Sequence, residues 1–100
     1  MNDRELLEYA AKAAGIDLGM SFDRGSPILW DCSDPEKHKP WNPLTDDGDA
    51  LRLAVKLNLL QKHSFTYALA EENDECNGDP YAATRRAIVR AAAEIGRHVK

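Results

Sequence analysis

The sequence predicts an α+β domain built from three helices and two or three short strands. Stretches with helical periodicity and clear start signals begin at Asn2, at Thr45 or Asp46, and at Asp79. Between the first two lie short apolar runs bounded by glycine, proline and acidic residues, and residues 64–70 alternate with period two. With 100 residues the chain can fill one hydrophobic core and not two, so residues 1–100 read as a single domain.

The first helix opens at Asn2, with Glu5 three residues on to complete a capping box. Leu6, Tyr9, Ala10, Ala13 and Ala14 share one face, and Arg4, Glu8 and Lys12 lie on the other with opposite charges four apart. Gly15 supplies a left-handed terminator and Ile16 the apolar contact back. Residues 17–41 contain Gly19, Gly25, Pro27, Pro35 and Pro40, so they cannot form one regular element. Ile28-Leu29-Trp30 reads as a strand, Met20-Ser21-Phe22 as its partner, and Asp23-Arg24-Gly25-Ser26 as the turn joining them. Lys37-His38-Lys39-Pro40 reads as exposed loop.

Pro43 fixes the approach to the second helix, and Asp46, Asp47 and Asp49 fall in its first turn, where the helix dipole favours carboxylates. This helix runs to about Leu59 with two apolar stripes: Leu51, Ala54 and Val55 on one side, Leu53, Leu57 and Leu60 nearly opposite. Such a helix is either sandwiched in its own fold or offers one face to a partner, a homodimer among the options. In residues 64–70, Phe65, Tyr67 and Leu69 alternate with Thr66, Ala68 and Ala70, the pattern of a half-buried strand. An acidic loop over residues 71–78 follows. Asp79-Pro80 then starts the third helix, with Tyr81, Thr84, Ile88, Ala91, Ala92, Ile95 and Val99 on one face and Arg86, Arg90 and Arg97 opposite.

Composition bounds the function. An apolar fraction of 43% and a charged fraction of 30% are those of a globular protein rather than a disordered one. Seventeen acidic against thirteen basic side chains give a net charge of -4, which argues against nucleic acid or an anionic membrane as partner. No apolar run is long enough to span a membrane, and the charged N-terminus lacks the apolar core of a signal peptide, so cytoplasmic residence is expected. Cys32 and Cys76 read as free thiols in that compartment, the alternative being a disulfide between them.

The string WNPLTDDGDALRLAVKLNL, residues 41–59, resembles the phage ABA-sandwich domain family, small proteins of tailed phages and prophages. The closing segment DPYAATRRAIVRAAAEIG looks like the end of the same family. The resemblance implies a small α-β-α sandwich, with three helices around a two- to three-stranded sheet, and a host bacterial cytoplasm as location. It implies no catalytic residue, and residues 17–39 have no match to it.

Several clusters carry a chemical reading beside a structural one. Asp46, Asp47 and Asp49 offer oxygens for Mg²⁺ or Ca²⁺, but they lack the alternating pattern of a calcium loop, and helix capping accounts for all three. Cys32, His38, His63 and Cys76 are zinc-ligand types without the close pairs structural zinc uses. Cys32 and Ser64 are nucleophile types, yet His63 is a sequence neighbour of Ser64 and would point to the opposite face of a strand. No phosphate-cradling loop or dinucleotide fingerprint occurs, so no catalytic residue, metal or cofactor is assigned.

Binding is the remaining class. Arg86, Arg90 and Arg97 form a ridge suited to phosphates or an acidic protein surface; the structural alternative is a solvated face with Arg90 paired to Glu94. Trp30 and Trp41, near Lys37 and Lys39, are able to stack a base, or else to serve as amphipathic edges of the core. The expectation is a non-enzymatic accessory protein that binds a host or phage macromolecule. A sponge for a nucleotide signal is the alternative, and a metal-dependent hydrolase on the Asp46 cluster is the third reading.

Overall fold

The computed structural model describes residues 2–75 and 78–99, and within these leaves aside the side chains of Ser64, Asn73, Asp74 and Glu75. Local signals set the first helix. The Asn2 side chain accepts the Glu5 amide at 2.8 Å, and α1 (Asp3–Ala14) ends at Gly15, whose φ of 70° is left-handed. The Ile16 amide then bonds back to the Ala11 carbonyl. α1 buries Leu6, Leu7, Ala10, Ala11 and Ala14, while Arg4 pairs with Glu8 on its outer face.

β1 (Leu18–Asp23) and β2 (Ser26–Asp31) form an antiparallel hairpin in which Asp23 faces Ser26. The two residues between them, Arg24 and Gly25, have φ of 53° and 84°, the type I′ geometry that matches the twist of paired strands. A two-residue strand, β3 (Lys39–Pro40), pairs with Asp31 and Trp30 on the far side of β2, where the sequence reads as loop. The Trp41 amide extends this pairing by one bond to the Leu29 carbonyl, so Pro40 stands at a position whose missing amide would face away from β2.

Asp46 caps α2 (Asp47–Lys56) through the Asp49 amide at 2.8 Å. The helix stops before the expected Leu59 because Asn58 turns left-handed (φ 55°), and Leu59–Gln61 form a 3-10 turn that buries Leu59 completely.

Residues 64–70 are not a strand. They lie in a fourth helix, α3 (His63–Glu75). Buried Phe65, Ala68 and Glu72, with Leu69 half-buried, follow helical spacing, whereas Tyr67 is 76% exposed. The large side chains alternate, but the buried ones do not. The acidic stretch that follows is helical through Glu75, and Cys76 and Asn77 lie outside the described residues.

α4 (Pro80–Arg97) starts as its sequence dictates, with Asp79 accepting the Tyr81 and Ala82 amides. α1, α2 and α3 all pack on it. Its buried face is mostly alanine, with Ile88 and Val89, so Tyr81 (70% exposed) and Val99 lie off the face assigned to them from periodicity. At Gly96 the approach of α1 is so close that a Cβ would sit 2.6 Å from the Tyr9 carbonyl carbon.

The class is therefore α+β, with four helices and a three-stranded antiparallel sheet. The helices form the core by packing on one another. None of the strand residues is fully buried; only Leu18 and Leu29 pack partly against that core.

Candidate functional site

Residues 41–49 are an anchor for α2. Trp41 is buried, its amide bonds to the Leu29 carbonyl at 2.9 Å, and Pro43 is fully buried. The three aspartates that suggest a cation site are each engaged differently. Asp46 is the cap, and Asp47 holds Arg85 at 2.7 Å. Asp49 is 8% exposed, accepts the Asn42 amide at 3.0 Å and binds Arg52 at 2.7 Å. The helix dipole therefore explains only part of this acid cluster, and cross-links to the loop and to α4 explain the rest. Arg85 completes the anchor by donating to the Leu44 carbonyl at 2.8 Å. Periodicity does not single out Arg85, because its partners come from a segment 38 and 41 residues away.

Arg86, Arg90 and Arg97 do come together, in a groove of about 470 Å³ between α3 and α4. They do not form the free ridge, nor is Arg90 paired with Glu94. Arg90 binds Glu72 at 2.8 Å and Glu71 at 3.3 Å, and Arg86 binds Asp3 at 2.8 Å and Glu72 at 3.6 Å. The Glu72 side chain is only 4% exposed, so its carboxylate sits between two guanidinium groups and ties α3 to α4. Burial pulls the Arg90 pKa down, but its hydrogen bonds to Glu72 and Glu71 outweigh this and raise it above the ordinary value. Arg97 pairs with Glu94 at 3.2 Å, and Glu94 also meets His98 at 3.3 Å. An incoming phosphate would compete with carboxylates already in place.

Trp30 and Trp41 are not in that groove. Trp30 is half-buried and donates its indole N–H to Ser21 across the hairpin at 2.7 Å. Trp41, buried against the core, offers no open ring face for a base. Lys37 and Lys39 line a separate cleft with Asp31, Ser33 and Asp34. Burial acts to raise the Asp31 pKa, yet the Ser33 hydrogen bonds and the charges of Lys39 and Lys56 win, leaving it below 3.8. His38 is exposed in the loop before β3, and His63 begins α3. Cys32 is a half-buried free thiol; Cys76 lies outside the described residues, as does the side chain of Ser64.

The apolar surface is the other candidate. α2 turns Ala50, Leu53 and Ala54 inward, leaving Leu51 55% and Val55 64% exposed one turn apart. The two stripes expected on this helix do not divide as drawn: Ala54 is buried beside Leu53, and Leu60 lies beyond the end of α2 and is 50% exposed. Met20 and Phe22 on β1 are exposed as well, a feature that strand alternation alone does not reveal because their neighbours Leu18 and Leu29 are partly covered.

No family model, curated protein or solved structure matches the chain. Among the described residues, no helix is long and apolar enough to cross a membrane.

Proposed function

We propose that the chain is a non-enzymatic binding protein, of phage or prophage origin, that docks on a host or phage protein in the bacterial cytoplasm through the outer face of α2. The observation that carries this reading is the exposed Leu51–Val55 pair on a helix whose other face is fixed in the core. Large apolar side chains one turn apart are the anchors by which a helix face meets a groove or another helix. The phage origin rests on the resemblance of residues 41–59 to the ABA-sandwich family. The nucleotide-sponge reading has less behind it, since Arg86 and Arg90 are already paired and Trp41 is buried.

The test compares the native chain with a Leu51→Glu/Val55→Glu variant as baits in infected cells. A partner retained by the native protein and lost from the folded variant supports the reading. Equal retention by both removes α2 from the interaction. A second copy is the competing occupant of this face, and a dimer dissolved by the same two substitutions would assign it.

A further inference from the structure

The two edges of the sheet differ in how they are protected. On the outer side of β2, β3 and Trp41 cover Leu29 to Asp31, and Pro27 leaves no amide to offer beyond them. β1 presents Leu18-Gly19-Met20-Ser21-Phe22 with no proline and no charge before Asp23. In a two-residue hairpin Asp23 and Ser26 exchange both ladder bonds, so Ser21 and Gly19 also turn their backbone groups toward β2. The amides and carbonyls of Leu18, Met20 and Phe22 consequently face outward.

The side chains of those three residues share one face of the sheet with Leu29, the partner of Met20, and Leu18 and Leu29 rest on the core. Met20 and Phe22 continue this apolar face past the core and are 36% and 69% exposed. Beside them a largely apolar cleft of about 320 Å³ opens between α1 and β1, with Ile16, Leu18, Met20 and Leu29 in its lining and Glu8 and Lys12 on its α1 side.

We infer that the free edge of β1 takes a second copy of β1, antiparallel, about a twofold axis at Gly19. Leu18 of each copy then lies opposite Met20 of the other, and their outward amides and carbonyls pair. Phe22 lies opposite Ile16 of the second copy, at the cleft that an exposed ring needs. Small Gly19 residues meet on the axis. A register centred on Met20 would instead set Asp17 against Asp23 of the second copy, a like-charge pair, whereas the Gly19 register gives Asp17 a serine. The interface is isologous and leaves no unpaired strand edge between the copies. One short strand pair with two phenylalanines falls below the roughly 800 Å² per partner of a standard interface, so the dimer is concentration-dependent.

Sedimentation of the full chain under reducing conditions, over a range of concentrations, tests this. The native protein should show a monomer–dimer equilibrium. Met20→Pro removes an outward amide that makes no bond to β2, and Phe22→Lys puts a charge at the cleft. Each should raise the dimer dissociation constant by roughly tenfold or more while the thermal midpoint of the monomer stays put. Leu51→Glu/Val55→Glu should leave the dimer intact, which separates this inference from the role proposed for α2. A native chain that is monomeric at every concentration overturns it. So does a dimer that persists in either folded variant, or one lost only with the α2 substitutions.

Discussion

The seam between α1 and α4 and the hairpin of β1 and β2 are held together by opposite means. The buried faces of both helices are rich in alanine, with Leu6 and Leu7 on α1 and Ile88 and Val89 on α4, and Gly96 lets the α4 backbone touch that of Tyr9. Small side chains in close contact gain dispersion energy from proximity, and they leave no slack for an added atom. The hairpin is held by its own ladder, a type I′ turn and the Trp30–Ser21 bond, with only Leu18 and Leu29 reaching the core. Its register is local, so its outer residues are free to do something other than fold the chain. Where packing is tightest the sequence is committed to structure, and the exposed apolar residues of β1 and of the outer face of α2 lie away from it.

Substitutions on either side of this divide should behave unequally. Leu59→Ala empties a completely buried site beneath the helices and should cost about 3 kcal/mol in denaturant unfolding. Gly96→Ala should cost about 2 kcal/mol, because the new methyl meets Tyr9 backbone rather than a flexible side chain, and this outweighs the gain in helix propensity. If Gly96→Ala were neutral, the seam would be looser than its geometry indicates. Glu72→Gln should cost roughly 1–2 kcal/mol, reduced by the partial exposure of Arg86 and Arg90, and hydrogen exchange should rise in α3 before α1. On the hairpin, Phe22→Ser should change monomer stability by no more than about 0.5 kcal/mol.

The smallest expected effect is the acid response of the sheet. Asp31 has a folded pKa below its ordinary 3.8, so its contribution is complete above that value and is lost as the pH falls through the lower folded value. Asp31→Asn should flatten the acid limb of the thermal midpoint, measured between about pH 4 and pH 2. A steeper limb in the variant would reverse the sign of the interaction with Ser33 and Lys39.

Helix starts and the hairpin turn were legible because their causes are local. Asn2, Asp46 and Asp79 bond amides two or three residues away, and Arg24-Gly25 need only their own φ angles. α3 reads as a strand because alternating Phe65, Tyr67 and Leu69 outweigh the small Ala68 and the charged Glu72 in the periodicity. Glu72 can be buried only because Arg86 and Arg90 arrive from α4, fourteen and eighteen residues on. The arginine face differs from its expected free ridge for the same reason: charge type is visible in the sequence, but pairing across helices is not.

By itself, then, the sequence determined the class, three helix starts and the hairpin, all through contacts within a few residues. Tertiary structure decided which stripe of α2 is buried, that residues 64–70 are helical, and that the arginines are spent on Asp3, Glu71, Glu72 and Glu94. It also decided that the sheet stays at the margin, with one edge of β1 unpaired among the described residues. Those outcomes depend on distances between residues far apart in the chain, where burial and charge pairing are set by what the other elements bring.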